Sequence, residues 1–498
     1  MSWWAIIALF TYFLVLSILA IFGLHRYILL YIYLKNKNKV PKPLSKFKGL
    51  PKVTVQLPVY NEMFVVRRLI DSVCKLKYPK HLLEIQVLDD STDATQKIAL
   101  ERVKFYRSKG INIHYYHRDN RKGFKAGALE EGLKKASGKF IAVFDADFIP
   151  NPDFLLQTIH YFTDPKVGMV QARWGHINRN FSLLTQVQSI LLDGHFVIEH
   201  TARNRSGKFF NFNGTAGIWR KETIYSAGGW QHDTLTEDLD ISYRAQMKGW
   251  KFIYLPNIVV PAELPVEINA FKCQQHRWAK GSIQTAKKLL GKIFKAPLPF
   301  SVKMEAFFHL CDNFAYLLMI PLSISIFPTV ILRKNLGLYE MVLIDFPLIL
   351  LATGSVGAFY IYSQKEIYLN WPSRLKYLPF LMALGIGLAV NNAKAVIEAL
   401  LDKKSEFERT PKFGIQDKKK NWKLKRYFGK RSYLTYFELL LGIYFTITVA
   451  FSIKEGIYLT LPFLLLFQIG YLYMAFFSFY QGRRRFLNLL PKKLETGN

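Results

Sequence analysis

Long runs of apolar residues divide the chain into membrane-like and mixed parts. The runs cover residues 5–34, 310–332, 340–362, 375–400, 434–453 and 457–480. Several of them reach the ~20 residues that a helix needs to cross the hydrocarbon layer of a bilayer. Residues 50–300 instead mix short apolar runs with polar turns, as a water-exposed domain does. The pattern predicts a membrane helix at 1–34, a domain at 50–300 and a membrane region at 301–498.

The domain at 50–300 alternates strand-like and helix-like segments. The strand-like segments are "KVTVQLPV", "EIQVLD", "INIHYYHR" and "KFIAVF", and amphipathic stretches such as "GALEEGLKKA" lie between them. This alternation predicts an α/β fold with a mostly parallel sheet. In such sheets, ligands bind beyond the carboxyl ends of the strands.

Basic clusters constrain how the apolar runs cross the membrane. The chain carries a net charge of +32, and Lys/Arg clusters at 35–52, 402–432 and 483–493 border apolar runs. The positive-inside rule places such clusters on the cytoplasmic side. All three clusters share that side with the domain if every apolar run crosses except 375–400, which then lies in the interface or re-enters.

The charge also bears on the expected partners. A basic surface suits an anionic lipid leaflet and an anionic substrate. Nucleic acid is not an expected partner, because no recognisable nucleic-acid-binding module accompanies the charge. Cys74, Cys273 and Cys311 lack metal-ligand spacing, so we expect reduced thiols.

Two acidic clusters directly follow predicted strands. Asp145 and Asp147 come one residue apart after "FIAVF", with no cation nearby in the sequence. A divalent ion that bridges them to phosphate oxygens would relieve their repulsion. Asp89 and Asp90 follow the second strand. For this pair, capping of the next helix is the alternative interpretation.

Seven short motifs occur in a fixed order along the chain: "LPVYNE", "LDDSTD", "GFKAG", "DAD", "FNGTAGIWR", "TED" and "QQHRW". In this order, with membrane runs outside them, they resemble the membrane-integrated family 2 glycosyltransferases of the cellulose synthase, cellulose synthase-like and hyaluronan synthase group. The mannan and glucan synthases of the cellulose synthase-like type look most similar. The resemblance implies a nucleotide-diphospho-sugar transferase (GT-A) domain, which transfers a sugar with inversion from a nucleoside diphosphate to an acceptor hydroxyl.

The resemblance also implies roles for particular residues. Residues that would bind the donor nucleotide are Pro58, Tyr60, Glu62, Asp90, Lys125, Asp145, Gln274 and Arg277. Residues that would contact the acceptor are Phe212, Asn213, Gly214, Thr236, Glu237 and Trp278. Asp147 would bind Mg²⁺ or Mn²⁺ together with the diphosphate, Arg277 would stabilise the leaving group, and Asp238 would be the general base.

Structural alternatives stand beside three of these roles. Thr236 and Asp238 are residue types that cap helix N-termini, Trp278 could belong to an interfacial aromatic belt, and Lys125 could be a solvated lysine at a helix start. The segment "FERTPKFG" resembles the gating segment of cellulose synthases, with Phe407, Thr410 and Lys412 as candidate contacts and Arg409 in place of the usual valine. The alternative is a basic loop beside the membrane, within 402–432.

The leading functional hypothesis is a processive enzyme that builds a β-1,4-glucan or mannan from UDP-glucose or GDP-mannose and passes it across the membrane. The alternative enzyme adds one sugar to a lipid, as glucosylceramide-type transferases do. A non-catalytic membrane scaffold or transporter is disfavoured, because Asp90, Asp145, Asp147, Asp238 and Arg277 are all present. We expect a multi-pass protein of a bacterial inner membrane or a Golgi-type membrane, with its catalytic domain in the cytoplasm.

Overall fold

The computed structural model describes residues 3–337, 342–404, 409–415 and 432–489. The middle of the chain forms an α/β domain, and helices from both ends of the chain pack beside it. This arrangement confirms the predicted fold class.

One seven-stranded sheet organises the α/β domain. Its strands are β1 (Val53–Val59), β2 (Leu83–Asp89), β3 (Ile113–His117), β4 (Phe140–Val143), β5 (Val167–His176), β6 (Gly217–Arg220) and β7 (Lys251–Ala262). They lie in the order β3-β2-β1-β4-β6-β5-β7. The first four strands are parallel to one another, β6 runs antiparallel to both of its neighbours, and β7 is parallel to β5. The carboxyl ends of β1, β2 and β4 therefore meet at one edge of the sheet.

Helices cover both faces of this sheet. The helices in the first part of the chain are α1 (Trp3–Asn36), α2 (Val66–Val73), α3 (Thr95–Ser108), α4 (Phe124–Lys135), α5 (Phe154–Thr158), α6 (Leu183–Asp193), α7 (Thr201–Arg205), α8 (Lys221–Ser226) and α9 (Glu237–Met247). Of these, α1 and α6 pack against helices of the second part of the chain. Alternate residues of β4 point to opposite faces. Phe140 and Ala142 join the hydrophobic core on one face, and Ile141 and Val143 join the core on the other. Burial on both faces explains why these strands read as continuous apolar runs.

The second part of the chain is helical. Its helices are α10 (Ile268–Lys295), α11 (Phe300–Cys311), α12 (Phe314–Asn335), α13 (Val342–Ile349), α14 (Ser355–Ile367), α15 (Leu378–Gly387), α16 (Ala389–Leu400), α17 (Leu434–Lys454) and α18 (Leu461–Leu489). Within the described residues, five helical stretches are long and apolar enough to cross a membrane: Ala5–Asn36, Phe314–Asn335, Ile344–Ile367, Leu434–Lys454 and Tyr458–Gln481. The stretch predicted to lie in the interface or re-enter, 375–400, falls on the pair Trp371–Gly387 and Ala389–Leu400, which is bent by 41°.

Helix α10 connects the α/β domain to these apolar helices. Lys272, His276 and Lys280 recur every four residues and so share one face of the helix. Lys272 forms a buried ion pair of 2.7 Å with Glu438 of α17, and Lys280 pairs with Glu398 of α16 at 3.0 Å. His276 lies 3.3 Å from the same Glu398 carboxylate. Gln274, Arg277 and Trp278 lie on another face, which lines a cavity.

Candidate active site

An open cavity lies beyond the carboxyl ends of β1, β2 and β4, and it encloses about 1250 Å³ including its mouth. The predicted site residues that line it are Pro58, Tyr60, Glu62, Asp90, Lys125, Asp145, Asp147, Asn213, Gly214, Thr236, Glu237, Asp238, Gln274, Arg277, Trp278, Thr410 and Lys412. Residues from all seven motifs, and two from the candidate gating segment, therefore converge on one place. Phe407 of the candidate gating segment lies outside the described residues.

Phe212 does not reach this cavity. Its motif predicted a place near the acceptor, but its side chain is fully buried in the core. Its ring centroid lies 5.5 Å from that of Trp219 and 6.4 Å from that of Trp230. Burial among these indoles gains more hydrophobic stabilisation than exposure in a polar cavity would. The cavity is instead lined by the next two residues, Asn213 and Gly214.

Two arginines contact the predicted nucleotide-binding residues Asp90 and Tyr60. Arg118 binds both oxygens of Asp90, with its Nε donating to Oδ1 at 2.7 Å. The guanidinium of Arg121 stacks 3.4 Å above the ring of Tyr60. A flat aromatic ring stacked with a guanidinium is a suitable surface for a nucleic base.

Glu62 lies deeper in the same cavity and pairs with Arg409 at 3.0 Å. Burial raises the pKa of its carboxyl to about 7, an effect that Arg409 opposes and Asp147 reinforces. The arginine that replaces the expected valine therefore has a partner in the cavity.

Lys125 is the central cation of the cavity. Its Nζ lies 2.6 Å from Asp145 and donates to the Gly214 carbonyl at 2.9 Å. Burial alone would lower its pKa, but Asp145 and Glu237 reverse that effect and the pKa is raised. Lys125 is therefore a charged group inside the cavity and not a solvated lysine.

Asp147 alone offers too few oxygen atoms for a divalent cation, and a bound ligand would have to supply the others. Its Oδ2 contacts Lys412 Nζ at 2.7 Å and accepts the Glu263 backbone N–H at 3.1 Å. Among the described residues, no group of three or more His, Cys, Asp or Glu side chains could hold a metal. Mg²⁺ typically uses one or two carboxylates and completes its coordination with water and phosphate oxygens. One carboxylate in a cavity large enough for a diphosphate suits that chemistry.

Asp238, the predicted general base, is a buried carboxylate of the cavity. It lies in the first turn of α9 beside Glu237, and both line the cavity. Burial and, to a smaller extent, the neighbouring Glu237 raise the pKa of the Asp238 carboxyl to about 7, against the opposing effects of Lys125 and Arg277. A base of this pKa is half ionised near neutral pH and can accept a proton. In the part of the chain that the structure describes, the Thr236 side chain makes no capping hydrogen bond to α9, so capping does not account for Thr236.

A glycine brings α9 and α10 together. A β-carbon built on Gly281 would lie 2.5 Å from Thr236 Cγ2, so only glycine permits this approach. Gln284 of α10 also accepts the Leu235 N–H at 2.9 Å. The guanidinium of Arg277 is consequently held near Glu237, Asp238 and Asp145, whose charges oppose the lowering of its pKa by burial.

Four features of this site were not predicted from the sequence: Arg118, Arg121, Glu263 and the role of Arg409. Glu263 follows the last residue of β7, as Asp145 follows β4. The rule that singled out Asp145 would have found Glu263 if β7 had been recognised as a strand. The arginines could not be found in this way, because each contacts a residue distant in the sequence and no local pattern marks such a contact.

Comparisons with known proteins show what this chain is similar to. Residues 54–227 match the family described as "Glycosyl transferase family 2". The chain is 46% identical over 252 residues to glucomannan 4-beta-mannosyltransferase 2 of Arabidopsis thaliana, a match that covers 50% of this chain and 47% of that protein. The chain thus spans about half the length of that relative.

A longer match and a solved structure extend the comparison. Glucomannan 4-beta-mannosyltransferase 7 of Arabidopsis thaliana is 33% identical over 380 residues, which cover 71% of this chain and 68% of that protein. A structure described as mannosyltransferase PcManGT from Pyrobaculum calidifontis in complex with GDP-Man and Mn²⁺ covers 78% of this chain and 100% of its own, with a TM-score of 0.52 and 22% sequence identity. This structural similarity concerns the fold.

Proposed function

We propose, since the chain belongs to the membrane-integrated family 2 glycosyltransferases of the cellulose synthase-like group, that it transfers a hexose from a nucleoside diphosphate sugar to a growing β-linked polysaccharide. One observation carries the proposal. A base-type carboxylate (Asp238), two cations (Lys125 and Arg277) and a metal-type carboxylate (Asp147) line the same cavity.

Inverting transfer needs only a base for the acceptor hydroxyl and cations for the leaving diphosphate. Asp238 would take the proton from the acceptor hydroxyl as that oxygen attacks the anomeric carbon. Lys125 and Arg277 would stabilise the negative charge that develops on the departing diphosphate. A single displacement inverts the anomeric centre, so one carboxylate is sufficient.

The donor and a divalent ion would occupy the other side of the cavity. Tyr60 and Arg121 would stack against the base, with Glu62 and Asp90 beside the nucleoside. Asp147 would bind Mg²⁺ or Mn²⁺, which would neutralise diphosphate oxygens. Because the relatives are named glucomannan mannosyltransferases, we expect GDP-mannose to be a better donor than UDP-glucose.

The acceptor side points towards the membrane helices. Trp278 lines the cavity on the helix that also contacts α16, α17 and α18. Its indole would support the terminal sugar of the polymer, and Thr236, Glu237 and Asn213 would lie beside it. We infer that the product leaves between the membrane helices, with the catalytic domain on the cytoplasmic side of a bacterial inner membrane or a Golgi-type membrane.

Product analysis tests this function. Protein purified in nanodiscs is incubated with labelled GDP-mannose or UDP-glucose and Mg²⁺ or Mn²⁺. We expect a polymer that lengthens with time and is degraded by β-mannanase or β-glucanase. A single labelled glycolipid with no polymer, from every donor, would favour the lipid transferase instead.

A further inference from the structure

Glu263 joins the candidate donor cavity to a segment 150 residues further along the chain. Its buried carboxylate accepts two backbone N–H groups, from Phe413 at 2.8 Å and from Ile415 at 3.1 Å. Its own backbone N–H donates to Asp147 Oδ2, and its carbonyl accepts from Lys412 Nζ at 2.6 Å. Glu263 therefore contacts both the predicted metal ligand and three residues of the 409–415 segment.

Residues 413–415 fit closely into their position beside Glu263. The side chains of Phe413 and Ile415 are fully buried and pack with Val266. Gly414 has a φ of +65°, and a β-carbon there would lie 2.7 Å from the Phe64 carbonyl oxygen. Glycine at this position permits the turn and the close approach to the chain after β1.

The docked segment supplies charge to the cavity. Lys412 contacts Asp147 and Arg409 contacts Glu62, so two cations from the segment meet two cavity carboxylates. Both ion pairs are largely buried, and each places a cation of the segment against a cavity carboxylate. The Glu263 carboxylate in addition binds the backbone amides of residues 413 and 415. Release of the segment would take these two partners from a buried carboxylate, which is costly.

We propose that Glu263 is a positioning residue for the donor site, which holds the 409–415 segment in the cavity and thereby places Lys412 at Asp147. The donor assignment rests on the proposed function, whereas the docking by Glu263 does not. Removal of the carboxylate is expected to release the segment, weaken donor binding and leave the reaction centre around Asp238 in place.

Hydrogen–deuterium exchange on the full-length protein without ligand tests the docking directly. In Glu263→Ala, we expect the amides of Phe413 and Ile415 to exchange about tenfold faster or more, since each loses a charged, buried acceptor. Glu263→Gln keeps one carbonyl acceptor and should give a smaller increase. Gly414→Ala, which disturbs docking from the segment side and leaves Glu263 intact, should also accelerate exchange.

The matched control is Glu84→Gln. Glu84 is another buried carboxylate that accepts a loop amide, from Ser137 at 2.8 Å, at the other end of the sheet. Exchange at 413 and 415 within twofold of wild type in both Glu263→Ala and Gly414→Ala overturns the proposal. An equal acceleration in Glu84→Gln also overturns it, because the effect would then be general loosening of the domain.

Kinetics separate positioning from a merely structural role. With the donor that proves active, Glu263→Gln should raise the donor KM at least tenfold and change kcat less than threefold. A loss confined to kcat would contradict the assignment. If no donor supports activity in the wild-type protein, the proposed function fails, while the exchange experiment still decides whether Glu263 docks the segment.

Discussion

Asp238 lies so close to Gly214 that a β-carbon built on the glycine would be 2.9 Å from the Asp238 Oδ2 atom. The same β-carbon would lie 3.1 Å from Lys125 Nζ. Gly214 also has a φ of +77°, which side chains other than glycine rarely adopt. Asp238 and Lys125 therefore share a space that exists because residue 214 has no side chain.

Gly214→Ala should displace the base. We expect a loss of roughly 10²-fold in the rate of sugar transfer, the usual cost of misplacing a catalytic group by about an ångström. The measurement is the initial rate of polymer formation. Gly207→Ala is the matched control, because Gly207 has a φ of +70° with no described atom near its built β-carbon. An equal loss in the control would assign the effect to backbone strain and not to the contact with Asp238.

Asp238→Asn should abolish transfer and retain donor binding. The amide keeps the shape of the side chain but cannot accept the proton, so a decrease of roughly 10²-fold or more in kcat is expected. Nucleotide affinity, measured by calorimetry, should change little. Asp233→Asn, at an exposed carboxylate that pairs with Lys288, should have near wild-type activity. Near wild-type transfer by Asp238→Asn would show that another group is the base.

The pH profile should report the ionisation of Asp238. A base must be deprotonated to act, and burial together with Glu237 raises its pKa to about 7. The value of kcat/KM should therefore fall as the pH drops below about 7. Glu237→Gln removes a neighbouring negative charge, so the midpoint of this acid limb should move to lower pH. A midpoint that stays in place or moves upward would contradict the assignment.

Lys412 and a divalent ion should compete for Asp147. Chelation of the metal by EDTA should stop transfer, and added Mg²⁺ or Mn²⁺ should restore it. In the absence of nucleotide, Lys412→Met should bind Mn²⁺ more tightly than wild type, because the lysine ammonium 2.7 Å from Asp147 Oδ2 is removed. Electron paramagnetic resonance of free Mn²⁺ measures this affinity. Lys287→Met, which removes a surface cation paired with Asp402, is the control. Unchanged Mn²⁺ affinity in Lys412→Met would place the metal elsewhere.

Trp278 should control product length. An indole face binds the C–H surface of a sugar ring and still lets the ring slide forward by one unit. Trp278→Ala should therefore shorten or abolish the polymer with nucleotide binding retained, and Trp278→Phe should have a milder effect. Gel filtration of the product measures its length. Polymer of wild-type length from Trp278→Ala would support the interfacial-belt interpretation instead.

The sequence predicted the fold class and the acidic residues at the strand ends because parallel strands carry their information locally, whereas the other residues around the cavity were named from the resemblance to a known family. A buried strand such as β4 reads as an apolar run, and the acids that follow it must lie at the sheet edge. The sequence alone therefore sufficed to assign Asp145 and Asp147 to a site.

Features that depend on pairing between distant segments could not be read in this way. Glu62, Asp147 and Glu263 each contact a residue of 409–415, and no periodicity records that docking. Phe212 shows a second limit of sequence reasoning: a residue of a site motif need not lie in the site. Its motif neighbours line the cavity, but its ring is taken into the core by Trp219 and Trp230.

Helix α10 both lines the cavity and contacts the apolar helices, and this arrangement has a mechanical consequence. This helix has 28 residues and is thus roughly 42 Å long at 1.5 Å per residue. Lys272 fastens it to Glu438 of α17, and Arg277 and Trp278 lie less than two turns away. Apolar helices tilt to match the hydrocarbon thickness of the bilayer around them. We therefore expect a thicker or thinner bilayer to tilt the helices that support α10. The lipid composition of the host membrane should then affect how accurately the proposed acceptor hydroxyl meets Asp238.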